Sequence, residues 1–242
     1  MPRLPAWLAP LPRAADTPEL LDAPAAPAEL ARCLGDVARL NRFGGLAVTL
    51  GAVRRLLRRL PHGRAVTVLD VGTGGADIPQ ALARWARRAG RPLRVLALDR
   101  DRPILGVARG GLGRYPEIAL LEGDALALPL ADRSVDVAMS ALTLHHLEPR
   151  EAVRHLAELH RVARVGVVVN DLARSRLGYA LVWLATRVLA RSPMSRHDGP
   201  LSVRRAYTPA ELRALCAQAG LTGARIRSHP ARARHSLLLA RP

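Results

Sequence analysis

The chain has 242 residues, enough for one sizeable core and a single domain with an appended lid. Its composition, 49% apolar and 24% charged, excludes a disordered chain. The two cysteines, Cys33 and Cys216, exclude a disulfide framework or a metal-type cysteine cluster. Net charge is +17, and all 37 basic residues are arginines scattered along the sequence. With no lysine at all, this pattern reads as codon bias more than as a nucleic-acid-binding arm.

Residues 1–28 carry seven prolines and no signal-like apolar run, so a weakly structured lead-in and a cytoplasmic location are expected. No uncharged stretch nears the roughly 20 residues of a bilayer span. From Glu29 a helical pattern runs through Leu30, Leu34, Val37 and Leu40 to Gly44-Gly45, where Asn41–Gly45 forms a loop that could fold over a ligand. A second helix carries Val53, Leu56, Leu57 and Leu60. Its other face (Arg54, Arg55, Arg58, Arg59) reads as solvated, with peripheral membrane contact as the alternative. Residues 29–60 are thus expected to form a helical lid.

After Pro61 strands alternate with helices. Val66–Val71, Leu93–Leu98, Ile118–Leu121, Val135–Met139 and Val165–Val169 read as buried parallel strands. Ala76–Ala89, Arg102–Arg109 and Pro149–Val162 are the helices between them. Leu172–Ala190 is an apolar helix with Tyr179 and Trp183, and Arg196–Ser202 a polar loop; both look like acceptor-site material in a lid insertion over 172–205. Thr208-Pro209-Ala210-Glu211 starts a last helix, and Leu221–Arg227 and Ser236–Ala240 close the chain as strands. The fold class is α/β, with a mostly parallel sheet covered on both faces and ligands beyond the strand mouths.

Acidic residues stand at those mouths. The first strand leads into Asp70-Val71-Gly72-Thr73-Gly74-Gly75-Ala76-Asp77-Ile78, a glycine turn that lets backbone approach a ligand. Asp77 occupies the place where a dinucleotide fingerprint needs its third glycine, and Asp70 suits ammonium or hydroxyl groups better than a pyrophosphate. Asp99 ends the second strand, 27 residues after Gly72, and can accept two ribose hydroxyls. Asp124 follows the third.

With Leu128–Val137 and Leu144-His145-His146-Leu147, these motifs make residues 60–170 resemble the class I S-adenosylmethionine-dependent methyltransferases. The resemblance is to the small-molecule branch of quinone and natural-product methylases. It implies a Rossmann-like sheet of seven strands, the last antiparallel, within a domain spanning 61–242. S-adenosylmethionine would be the cofactor. Gly72 and Gly74 would meet its methionine portion, with Asp70, Thr73, Asp77 and Ile78 completing the turn. Asp99 would hold the ribose, Arg100 would flank the adenine, Asp124 and the Ala125 amide would read its edge, and Ser140 would line the sulfonium end. Ala76 departs from the family's usual third glycine.

Methyl transfer to a hydroxyl needs a base. His145 and His146 follow the fourth strand and Asp171 the fifth, so either imidazole could be the base and Asp171 its orienting acid; the alternative is that the histidines only shape the pocket. No resident metal is expected, because Ser140 stands where metal-dependent relatives carry an acid. The expected acceptor is a hydrophobic phenol, quinol or polyketide-like secondary metabolite. Carbon methylation of a quinone and, more remotely, RNA methylation are the alternatives. RNA is disfavoured by seven aromatic residues in all, too few for base stacking. A non-catalytic cofactor-binding subunit is the third class.

Overall fold

Short runs of β-branched and aliphatic residues bounded by glycine and acidic turns form the central strands, buried on both faces, while the edge strand Arg225–His229 is largely exposed. In the computed structural model, which describes residues 10–241, they are β1 (Val66–Val71), β2 (Leu93–Asp99), β3 (Ile118–Glu122), β4 (Val135–Ala141), β5 (Ala163–Leu172), β6 (Arg225–His229) and β7 (Arg234–Ala240). They make one sheet in the order β3-β2-β1-β4-β5-β7-β6. Pairing is parallel from β3 through β5, while β7 is antiparallel to both β5 and β6. The strand order reverses between β1 and β4, which places the ligand crevice beyond Val71 and Ser140.

Eight α-helices are present among the described residues: α1 (Pro27–Asn41), α2 (Gly45–Leu57), α3 (Asp77–Arg88), α4 (Arg102–Gly110), α5 (Pro149–Val162), α6 (Arg176–Leu189), α7 (Pro193–Arg205) and α8 (Pro209–Gln218). Alternation along each strand sends Leu69, Val71, Val167 and Leu237 into one core with Leu156 and Leu159 of α5 and Leu212 and Leu215 of α8. Val68, Val137, Met139 and Val168 point the other way, onto Val53, Leu56 and Leu57 of α2 and Leu82 of α3. The expected architecture of seven strands with helices on both faces is the one observed.

The chain departs from expectation in three ways. First, α2 does not lie over the site: its apolar stripe is part of the sheet's core, and only α1 reaches over the strand mouths beside α4, α6 and α7. Its arginine face is exposed. Second, residues 10–26 are an ordered strap, not a loose lead-in. The Ala14 amide donates to Arg204 O at 3.1 Å, and Arg13 bonds the carbonyls of Arg205 and Leu147. Residues 1–9 lie outside the described part.

Third, the polar stretch Arg196–Ser202 is helical, the middle of α7. Its His-Asp-Gly-Pro composition reads as a loop, but Ser192 caps the helix and Pro193 sits at its first position, where a missing N–H costs nothing. Asp198, Ser202 and Arg205, at i, i+4 and i+7, are buried and hold the strap: Asp198 accepts the Leu20 and Leu21 amides at 2.9 Å each. At the other boundaries, β5 continues to Leu172 so that α6 starts only at Arg176, and β6 begins at Arg225 rather than Leu221.

Candidate active site

A cavity of about 970 Å³ opens over the carboxyl ends of β1 to β4. The turn after β1 passes through left-handed backbone at Gly72 (φ 73°), Gly74 (φ 54°) and Ala76 (φ 56°). A Cβ on Gly72 would meet Thr143 Oγ1 at 2.3 Å, so only glycine lets the β1 and β4 loops close together there. Ala76 takes the left-handed conformation at some steric cost, fully buried and in place as the N-cap of α3.

The acids expected at the cofactor end all line this cavity, as do Gly72, Thr73, Gly74, Ile78, Arg100 and Ala125. Asp70 accepts the Thr73 hydroxyl at 2.8 Å, and burial pushes its carboxyl up to about 7. Asp77 accepts from Asn41 Nδ2 at 3.1 Å. Asp99 accepts the Gly74 and Asp101 amides at 3.0 and 3.2 Å, one per oxygen. Burial raises Asp77 and Asp99 as well. Crowded buried carboxylates favour a ligand that brings ammonium and hydroxyl donors. Asp124 receives the Leu126 amide on Oδ1.

One expected lining residue is misplaced. Ser140 is wholly buried, its hydroxyl donates to Val71 O at 3.0 Å, and it ties β4 to β1 instead of facing the cavity. Ala141, Leu142 and Thr143 take its place. Tyr179 likewise packs on Leu172, Val203 and Ala206, and Leu181, Val182, Leu184 and Val188 of α6 supply the apolar wall.

Arg234, which the sequence reading missed, enters from β7. It is buried and lines the cavity; Nη2 donates to Asn41 Oδ1 at 3.2 Å, whereas Nη1 is buried without a partner among the described residues. Burial lowers its pKa to about 10, against the pull of Asp171 and Asp77, so it remains cationic at neutral pH. An orphaned guanidinium N–H beside buried acids fits the two ends of an amino-acid zwitterion.

The histidines lie in a 3-10 turn, Leu144–His146, directly after β4. Asp171 grips His145 twice: Oδ2 accepts its amide at 3.0 Å and Oδ1 faces Nδ1 at 2.6 Å. Burial opposes ionisation of Asp171, but the charge and hydrogen bond of His145 outweigh it and lower the carboxyl. His146 is oriented by a different acid. Its Nδ1 lies 3.1 Å from Asp22 Oδ1, on a strap residue held down at about 2 because the His146 contact overcomes partial burial. Both carboxylates are ionised acceptors, so both Nδ1 atoms carry protons and both Nε2 atoms face inward. They face Glu19, at 3.7 Å from His145 and 3.9 Å from His146. Glu19 also accepts the Ser202 hydroxyl at 2.8 Å and lies 3.9 Å from Arg205 Nε.

Glu19 and Asp22 come from the segment whose prolines masked it. The signal that could have found them is an acid pair three residues apart, each capping the other's backbone around a one-turn helix. Glu19, His145 and His146 offer three ligand atoms within 4.8 Å of one another, an N₂O set that could hold a divalent transition cation. Asn170, next to Asp171, turns away from this cluster and donates to Gly45 O and Thr49 Oγ1.

Burial pushes the Glu19 carboxyl up to about 7, against His146 and Ser202. From the ordinary value of 4.5 up to that point the native state keeps a proton the unfolded chain has lost, so stability falls as pH rises through this window. In chelator-treated protein, Glu19→Gln should melt with the wild type near pH 5 and be more stable near pH 8, by on the order of 2–3 kcal/mol. Parallel melting profiles at both pH values would show that Glu19 is not perturbed.

The glycine turn, the row of acids after three parallel strands and the seven-stranded order are the architecture of the class I S-adenosylmethionine-dependent methyltransferases, and the chain has that fold. Residues 68–166 match the family described as "Methyltransferase domain". A malonyl-[acyl-carrier protein] O-methyltransferase of Pectobacterium atrosepticum is 36% identical over 129 residues, covering 53% of this chain and 46% of that protein. A demethylmenaquinone methyltransferase of Renibacterium salmoninarum is 32% identical over 161 residues, covering 63% and 62%. The chain therefore spans about half to three-fifths of these curated relatives. The magnesium protoporphyrin IX methyltransferase of Synechocystis, solved with bound S-adenosylhomocysteine, shares the fold with a TM-score of 0.57 at 16% identity, over 84% of this chain and 86% of that one.

Proposed function

We propose that this chain transfers the methyl group of S-adenosylmethionine to an oxygen of a hydrophobic small molecule, such as a phenol, quinol or polyketide-like metabolite. The observation that carries the reading is His146. It is the more open of the two histidines, its Nδ1 is pinned by Asp22, and its Nε2 faces the cavity and Glu19. The cofactor supplies an activated methyl on a positively charged sulfur. Asp99 would hold the ribose hydroxyls and Asp124 with the Ala125 amide the adenine edge. Asp70 and Arg234 would take the ammonium and carboxylate of the methionine portion.

The chain's own part is positioning and proton removal. The apolar wall (Leu142, Leu147, Leu181, Leu184, Val188) takes the acceptor's hydrocarbon body and excludes water. His146 Nε2 would accept the acceptor's hydroxyl proton as its oxygen takes the methyl group and the thioether leaves, and much of the acceleration would come from holding the two reactants in line. Glu19, poised near neutrality, shares the proton. Asp171 and His145 act by fixing the turn that carries His146.

A quinone-ring carbon is the second reading, favoured by the similarity to a demethylmenaquinone methyltransferase. Incubating the protein with methyl-labelled cofactor and a metabolite extract, with and without RNA, tests the class of acceptor. Label in an organic-soluble product with an alkali-stable methyl ether supports the oxygen reading, and a ring methyl supports the second. Label in RNA alone would overturn both.

A further inference from the structure

Large apolar side chains belong in cores unless something covers them. Five stand exposed among the described residues, and four of them cluster near the mouth of the cavity: Phe43 (69%), Trp183 (44%), Leu184 (55%) and Val188 (71%). Phe43, Leu184 and Val188 also line the cavity, so the apolar rim is continuous with its interior. On α6, positions 183, 184, 187 and 188 form one outward face, with Arg191 exposed just beyond the helix end, while Gly178, Val182 and Thr186 turn inward.

The charges on this face have one sign. Between Asp171 and Asp198 there is no acidic residue, whereas Arg176, Arg187, Arg191 and Arg196 are exposed. Arg187 lies over the Trp183 ring at 5.6 Å. Two acids approach from α1, and both are occupied: Asp36 is buried and held by Arg39 and the Arg191 and Ser192 amides, and Glu29 is held by Arg32 and the Ser192 hydroxyl. No helix among the described residues is long and apolar enough to cross a bilayer. A short helix with an apolar strip, a tryptophan and flanking arginines has the chemistry of one that lies in the headgroup region of an anionic membrane.

We propose that α6 and Phe43 dock the cavity mouth onto an anionic phospholipid bilayer. The apolar strip sinks to the acyl boundary and the arginines meet lipid phosphates. The route this opens, a lipophilic acceptor entering the cavity straight from the membrane, rests on the proposed function; the docking itself does not.

Co-sedimentation with phospholipid vesicles tests the docking without cofactor or turnover, so its failure leaves the methyl-transfer reading standing. The full chain should pellet with vesicles of phosphatidylglycerol and phosphatidylcholine and not with phosphatidylcholine alone. Leu184→Asp/Val188→Asp, at exposed positions, should weaken this at least about tenfold, and Arg187→Glu/Arg191→Glu should do so in a salt-sensitive way. Because the whole chain is basic, Arg55→Glu/Arg58→Glu on the exposed face of α2 serves as the control and should still bind. The proposal is overturned if wild-type protein stays in the supernatant, which would assign the patch to a non-membrane partner. It is equally overturned if the α6 variants, folded by circular dichroism, bind like wild type, or if the α2 variant loses as much.

Discussion

His146→Ala is expected to lower turnover by roughly 10²–10⁴-fold, with cofactor affinity nearly intact. The imidazole is the open one of the pair: His145 is buried and gripped by Asp171, and Glu19, which both Nε2 atoms face, is itself buried 3.9 Å from His146 Nε2. Asp171→Asn should cost less than His146→Ala and act by another route. Asp171 receives the His145 amide as well as its ring, so the variant loosens the turn that positions His146. It should therefore lower turnover without shifting the pH profile, whereas Asp22→Asn should shift that profile. If the histidines merely shape the pocket, His146→Ala raises the acceptor KM and leaves turnover at saturation unchanged. Wild-type turnover in a folded His145→Ala/His146→Ala double variant would end the general-base proposal.

The second large effect divides the cofactor into its two ends. Asp99→Ala removes a charge-assisted acceptor for two hydroxyls and should weaken binding of S-adenosylhomocysteine tenfold or more, a loss of roughly 1.5–3 kcal/mol. Methylthioadenosine, which keeps the ribose but lacks the amino acid, should weaken by a similar factor. Arg234→Gln should behave differently. It deletes the orphaned guanidinium facing the cavity, so the homocysteine compound should lose about tenfold or more while methylthioadenosine keeps its affinity. Calorimetry with the two ligands on the two folded variants gives four values. Equal losses for both ligands on Arg234→Gln would remove it from the amino-acid end.

Most of the cofactor half could be read from the sequence because strand exits announce themselves. An apolar run ending in Asp-x-Gly-x-Gly, or in a lone Asp, fixes both the element and the place where its last side chain emerges. Ser140 failed that logic by one residue of register: it is the last inward-facing position of β4, bonded to Val71 O, and the loop begins just beyond it. The acceptor half was less legible, since it is assembled from long-range contacts that carry no local pattern. Asp171 meets an imidazole as the spacing allowed, but two histidines adjacent in sequence lie side by side in a 3-10 turn, and only the fold decides that it meets His145. Glu19 and Asp22 sat in a proline-rich segment whose order comes from Asp198, Ser202 and Arg205 of a helix that itself looked like a loop. Each of these two segments looks unstructured without the other.

That mutual dependence has a consequence for how the protein reaches its working form. Glu19 and Arg234 line one cavity but are separated by nearly the whole chain, and closing so long a loop is entropically uphill until the sheet exists. The sheet and its two helical layers can condense from neighbouring βα units, whereas the strap has nothing to lie on until α7 is in place. Competence for catalysis should then be the last property gained in refolding and the first lost in mild denaturant, with helical and strand content still near native.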